Sequence, residues 1–101
     1  MIVDLAGRLI AGTGDELLRE LINRLLAENR GKILLNLANV AGIDSSGVGE
    51  LVASKKIVEH FGGALKLLEA KGNVAHVLDA GLLLPLFEHF TDEAAAVKSF
   101  R

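Results

Sequence analysis

The segment Lys32-Ile33-Leu34-Leu35-Asn36-Leu37 constrains this chain most, because it stays apolar where a half-exposed strand would alternate. A strand of that kind must be covered on both faces, as the strands of a parallel sheet are. Parallel strands cannot be joined by tight hairpins, so each needs a crossover connection, usually a helix. The rest of the chain should then supply helices with one apolar stripe and a few more short strands.

Such segments are present. Ile2–Leu5 reads as a strand and Ala6-Gly7-Arg8 as a turn. Thr13 followed three residues later by Glu16 has the form of a capping box. Leu17, Leu18, Leu21, Ile22, Leu25 and Leu26 then form the stripe of an amphipathic helix, with Glu20 and Arg24 paired on its wet face. Asn29-Arg30-Gly31 ends that helix. After the central strand, Ala38–Asp44 reads as a loop and Ser45–Phe61 as a second helix stopped by Gly62-Gly63. Ala64–Glu69 is a strand, Asn73 caps a helix over Val74–Ala80, and Gly81 closes it. Leu86–Phe90 is a last strand, and Thr91 caps a final helix with Asp92 and Glu93 in its first turn. Strands alternating with helices predict an α/β domain: a mixed, mostly parallel sheet of about four strands with about four helices. At 101 residues the chain is one domain, 1–101, large enough to bury about 60–70 % of its unfolded surface.

Composition removes several classes of function. With no cysteine there is no disulfide, thiolate catalysis or cysteine-held zinc. A net charge of -2 with interspersed signs, and four phenylalanines as the whole aromatic content, leave neither a phosphate-binding stripe nor a base-stacking surface, so no nucleic-acid partner is expected. The start Met1-Ile2-Val3-Asp4 has no signal-peptide character, and the run from Ala80 to Phe87 is far short of the roughly 20 residues that span a bilayer. The expectation is a cytoplasmic protein with no membrane insertion. The three histidines lack metal spacing, and Gly12-x-Gly14 and Gly47-x-Gly49 lack the lysine or third glycine of a phosphate loop, so neither metal nor cofactor is expected. Leu82-Leu83-Leu84-Pro85-Leu86 reads as core.

The informative segment is Ile43-Asp44-Ser45-Ser46-Gly47-Val48-Gly49-Glu50-Leu51, at the carboxyl end of the buried strand, where doubly wound sheets meet their ligands. Serine and aspartate serve here as helix caps, yet two adjacent hydroxyls exceed what one cap needs, and two glycines allow another backbone to come close. A serine hydrolase is disfavoured. Ser45 lacks the glycine-x-serine-x-glycine elbow, and His60 lies 15 residues along the same helix, about 22 Å away at roughly 1.5 Å per residue. His76 and His89 have no carboxylate placed to orient them.

Asp44-Ser45-Ser46-Gly47-Val48-Gly49 resembles the phosphorylation-site motif of the bacterial anti-sigma-factor antagonists, the STAS domains, and the likeness extends along the chain through Val3–Leu9, Leu34–Leu37, Gly62–Leu67 and Ala80-Gly81-Leu82 with Phe87. The resemblance implies a non-enzymatic protein. In its unphosphorylated form it would bind an anti-sigma factor with serine kinase activity and free a sigma factor. Phosphorylation at Ser45 would switch it off and a separate phosphatase would reset it. The partner surface it implies is Asp44, Ser45, Ser46, Gly47, Val48, Gly49 and Val52, with Gly12 and Thr13 of the earlier turn. Two positions depart from the pattern. Ile10 stands where many members carry an aspartate, and the usual first strand ahead of Ile2 is absent, which leaves Ile2–Leu5 as an edge open to a homodimer. A second implied function is that of a non-switching STAS subunit in an ABC-type lipid transport complex.

Two expectations concern physics. A phosphoserine adds about −1.5 to −2 charges, and free N–H groups at a helix start tolerate them, so the effect of the phosphate should fall on the partner. On the second helix, Gly47, Leu51, Ser54, Val58 and Phe61 share a face assigned to the core. Val48 and Val52 lie beside it among charges, either as an apolar contact for the partner or as a widening of the buried stripe.

Overall fold

The computed structural model describes the whole chain except Thr13, Leu82 and Arg101, with Leu84 by its backbone alone. The elements run β1 (Ile2–Leu9), α1 (Gly14–Ala27), β2 (Lys32–Ile43), α2 (Ser45–His60), β3 (Ala64–Leu68), α3 (Gly72–Ala80), a 3-10 turn (Leu84–Leu86), β4 (His89–Phe90) and α4 (Glu93–Lys98). The four strands stand in the order β1-β2-β3-β4, and every pair is parallel. The α/β class therefore holds, with an all-parallel sheet in place of a mixed one.

Strand order following chain order has a geometric consequence. Right-handed crossovers that always step the same way put their helices on one face of the sheet. The main core lies on that face: Leu18, Ile22 and Leu25 of α1, Leu51 and Val58 of α2, and Val74 and Leu78 of α3 pack on Ile33, Leu35, Leu37, Leu65 and Leu67. The opposite face holds a smaller cluster of Leu34, Leu68 and Ala96 flanked by Phe90 and Phe100. Lys66 is buried there. Its Nζ donates to the carbonyl and the hydroxyl of Ser99 (2.9 Å each), pairs with Glu88 at 2.7 Å and lies 4.4 Å from the centre of the Phe100 ring. A buried ammonium needs such partners, and these tie the end of α4 to the sheet.

Several expectations are corrected. Ala6-Gly7-Arg8 is strand, because β2 runs on to Ile43 and keeps pairing with β1, from Ala6↔Asn39 to Leu9↔Ile43. Ala38–Ile43 is for the same reason strand and not loop. Two register shifts absorb the extra residues of β2, which breaks the alternation a strand would show in sequence. Leu17 is 66 % exposed, because the stripe that faces the sheet is the narrower set Leu18, Ile22 and Leu25. Among the described residues Arg19, not Arg24, takes the ion pair of α1, and its partner is Glu50 of α2. Asn73 does not cap α3; Lys71 holds that position. The last strand shrinks to His89–Phe90, since Pro85 cannot donate to a ladder and Leu84–Leu86 winds into the 3-10 turn. Asp92, not Thr91, caps α4, accepting from Ala94 and Ala95. The Thr13 cap lies outside the described residues. Ile2–Leu5 does lie along an outer strand of the sheet.

One histidine is built into the sheet. The Ala70 N–H donates to His89 Nε2 at 3.0 Å, which requires a neutral ring, and burial pushes that imidazole below its ordinary value. The contribution of His89 to stability is thus complete above the unfolded-chain value of about 6.5 and is lost as pH falls through the lower folded value. The urea midpoint should fall as pH is lowered from about 7.5 to about 5, and His89→Gln, which keeps an acceptor but does not titrate, should flatten that slope. An unchanged slope in the variant would contradict this.

Candidate functional site

The site forms where β1 and β2 end together and α2 begins. Asp44 follows β2 in extended conformation and caps α2, its carboxylate accepting from the Gly47 N–H at 2.9 Å. The other carboxylate oxygen accepts from the Ala11 N–H at 3.1 Å and so holds the turn between β1 and α1. The Asp44 N–H donates to the Leu9 carbonyl at 3.2 Å, and the Asp44 carbonyl accepts from Val48 at 2.9 Å. One residue earlier, the Ile43 N–H donates to Asn73 Oδ1 of α3 at 3.2 Å. The short loop before Ser45 is therefore tied to β1, to the first turn, to its own helix and to α3.

The N–H groups of Gly47, then Ala11, hold the Asp44 carboxyl below its ordinary value, against a smaller opposing effect of burial. Asp44 is accordingly a carboxylate at neutral pH. It takes the Gly47 N–H, one of the N–H groups at the start of α2. A phosphate on Ser45 would come to rest beside a fixed negative charge.

Ser45 and Ser46 are exposed, and neither hydroxyl makes a hydrogen bond among the described residues. Gly12 and Gly49 are exposed as well, and Thr13 lies outside the described residues. Gly47 is buried, and a Cβ there would collide with the Leu9 carbonyl and the Ile43 side chain. The backbone that comes close to Gly47 thus belongs to this same chain. Leu51, Ser54 and Val58 are buried as expected, but Phe61, just past α2, is 67 % exposed. Val48 and Val52 are half-buried and pack against the main core, so both widen its stripe while keeping part of their surface outside.

One turn further along, the nearly buried Glu50 carboxylate accepts from Arg19 Nε at 3.3 Å and Nη2 at 3.1 Å. That hydrogen bond raises the Arg19 pKa further above its ordinary value. The sequence reading assigned nothing to Glu50. Its signal was a charged residue next to Leu51 on the buried side of α2, where a pairing partner is required. Ser54 Oγ is buried beside it with no hydrogen-bond partner among the described residues.

Among the described residues no cluster of histidine and acidic side chains could hold a metal ion, and no helix is long and apolar enough to cross a membrane. Hydrolytic use of Ser45 gains no base from His89, whose Nε2 is engaged by Ala70. A concavity of about 560 Å³ lies at the other pole, between Leu26, Arg30, Lys32 and Phe61, and no residue of the Asp44–Gly49 motif lines it.

Two substitutions test this packing. Gly47→Ala should lower stability by about 1–3 kcal/mol or more, because its methyl would meet the Leu9 backbone, which cannot give way as a flexible side chain would, and the Ile43 side chain as well. Val52→Glu should cost the free domain about 1–3 kcal/mol, through partial burial of an unpaired carboxylate. Thermal or urea melts of the isolated chain read both, and an unchanged midpoint in either variant would refute the packing described for it.

The STAS domain family model matches residues 1–96. An anti-sigma F factor antagonist of Paenibacillus polymyxa is 26 % identical over 97 residues, covering 96 % of this chain and 83 % of that protein. A crystal structure from Thermotoga maritima, described as a candidate anti-sigma factor antagonist, superposes with a TM-score of 0.87 at 24 % identity, over 99 % of this chain and 87 % of its own. The phosphorylated form of SpoIIAA, a Bacillus cell fate determinant, superposes with a TM-score of 0.72 at 24 % identity, over 99 % and 89 % of the two chains. Since the family model spans nearly the whole chain, the chain belongs to the STAS domain family.

Proposed function

We propose that the chain is an anti-sigma factor antagonist. In this reading it binds an anti-sigma factor with serine kinase activity through the end of the domain that carries Ser45. Phosphorylation of Ser45 abolishes that binding, a separate phosphatase restores it, and the chain itself catalyses nothing. The setting is the cytoplasm. The observation that carries the reading is the contrast between two neighbours. Asp44 is bonded to β1, to the turn between β1 and α1 and to α2, whereas Ser45 is exposed and its hydroxyl makes no hydrogen bond among the described residues. A kinase would meet a serine on a rigid mount that costs little to bind. The relatives named above support the same reading.

The electrostatics support an on/off response. A phosphate of about −1.5 to −2 charges would add to the Asp44 carboxylate on one small surface. A partner shaped for the neutral serine would face both charges, and about 2.8 kcal/mol of repulsion is already a hundredfold loss of affinity.

The test uses the Ser45→Ala chain as bait in its native organism, since that variant cannot be switched off. It should retain an anti-sigma factor, and Ser45→Asp should bind the same protein at least a hundredfold more weakly while keeping its helical circular dichroism. After incubation with that partner and ATP, phosphopeptide mapping should place the phosphate on Ser45. Phosphate confined to Ser46, Ser54 or a threonine would refute the switch. Recovery of the ATPase of a lipid exporter would show a transport subunit instead.

A further inference from the structure

We infer that Asn73, in the third helix, is a positioning residue for Ser45: its side chain fixes the tip of β2 that leads into the serine, so that α3 governs how the serine is presented. This rests on the function proposed above and adds to it a point of control outside the Asp44–Gly49 motif.

The sheet supports the tip of β2 unequally. Pairing with β3 ends at Asn36↔Leu68, whereas pairing with β1 continues to Leu9↔Ile43. Residues 37–43 are therefore held by a neighbouring strand on the β1 side alone. The Asp44 N–H turns to that side and donates to the Leu9 carbonyl. The Ile43 N–H, one residue earlier, points the other way, where β3 no longer runs. Asn73 Oδ1 accepts from it at 3.2 Å and stands in for the missing strand. Gly42 rests on the same oxygen, which a Cβ built there would meet at 3.4 Å.

Asn73 does this in place of serving its own helix. Lys71 holds the cap position of α3 without a side-chain bond, and the Asn73 oxygen, which could accept from N–H groups of its own first turn, reaches instead to a residue 30 positions earlier. What Asn73 fixes is passed on to Ser45 by two routes. The Ile43 side chain lies where a Cβ of Gly47 would be, so it bears on the first turn of α2 directly. Asp44, bonded next to Ile43 in the chain, caps the same turn through the Gly47 N–H. In a close-packed interior a displaced Ile43 shifts both, and misplacement of a reacting group by about 1 Å costs about a hundredfold in rate. Asn73 itself is exposed, so replacing it empties no part of the core.

The experiment compares wild type, Asn73→Ala, which removes the acceptor, and Asn73→Asp, which keeps it. In the free chain, amide hydrogen exchange at both Ile43 and Gly47 should quicken at least tenfold in Asn73→Ala and return to within threefold of wild type in Asn73→Asp. The melting temperature of Asn73→Ala should fall by no more than about 8 °C, the effect of one hydrogen bond in a domain of this size. With ATP and the anti-sigma factor recovered by the Ser45→Ala bait, kcat for phosphorylation of Ser45 should drop at least tenfold in Asn73→Ala at little changed KM. It should recover in Asn73→Asp, whose added charge acts on KM. Faster exchange confined to Ile43, or a kcat in Asn73→Ala within twofold of wild type, would make Asn73 a local tie and overturn the inference. So would a larger fall in melting temperature, or a loss of kcat that aspartate does not restore. If wild type itself is not phosphorylated, the proposed function fails first and takes this inference with it, an outcome distinct from a wild type that reacts and an alanine variant that reacts equally well.

Discussion

The close approach of the end of β1 to the start of α2 is the contact on which the other features of the site depend. The Leu9 carbonyl accepts from the Asp44 N–H and lies where a Cβ of Gly47 would be, so the first turn of the helix sits directly on the strand. No side chain intervenes. That leaves Asp44 free to bridge sideways to Ala11 while capping its own helix. Backbone contacts have little slack, so the turn before Ser45 is tied on several sides, and the serine hydroxyl has no hydrogen bond among the described residues. A larger residue at Gly47 would move α2 as a unit and disturb every one of these bonds.

The two faces of the sheet are held by different physics. On the helix-covered face, Leu, Ile and Val side chains exclude water over a continuous core. The opposite face has a small apolar cluster and one buried lysine, whose charge is met by Glu88, by two oxygens of Ser99 and by the Phe100 ring. Such an arrangement is directional where apolar packing is not, and it fixes where the end of α4 lies. The helix-covered core reaches up to the Ser45 turn through Leu9 and Ile43, with Val48 packed against it, so the switch end is stiffened from below while Ser45 and Ser46 stay exposed.

Features that depend on near neighbours in the chain were legible in sequence: the buried strand, the helix start at Ser45, and the stop at Gly62-Gly63. Asp44 and Ser45 could be singled out because capping is a local pattern of residue types. What escaped was set by distant partners. Ala38–Ile43 looks like a loop because Asn39 and Gly42 interrupt it, and only its pairing with β1 makes it strand. Asn73 looked like a cap for its own helix, yet its side chain serves Ile43, 30 residues earlier. Leu17 satisfied the helical spacing but not the width of the actual contact, and Glu50 gave no hint of Arg19 until the two helices were packed. Gly47 was recognised as a residue of close approach, but the partner it approaches is the Leu9 carbonyl.

Strand order that follows chain order also bears on how the molecule comes into being. Each strand pairs with the one before it, so pairing proceeds outward from the N-terminal end, and contacts between successive strands span little more than 30 residues, as Ile2↔Leu34 and Lys32↔Ala64 show. Each parallel pair must still close a crossover loop (about 30 residues for β1–β2 and β2–β3) before it is rewarded, so the sheet is built from non-local steps taken in chain order. On a ribosome, where N-terminal segments emerge first, Leu9, Ala11, Asp44 and Gly47 are all available before β3 has been made. Every bond that shapes the Ser45 turn can form at that stage except one. The last, from Ile43 to Asn73, waits for α3, so the final stitch on the switch comes from the part of the chain synthesised after it.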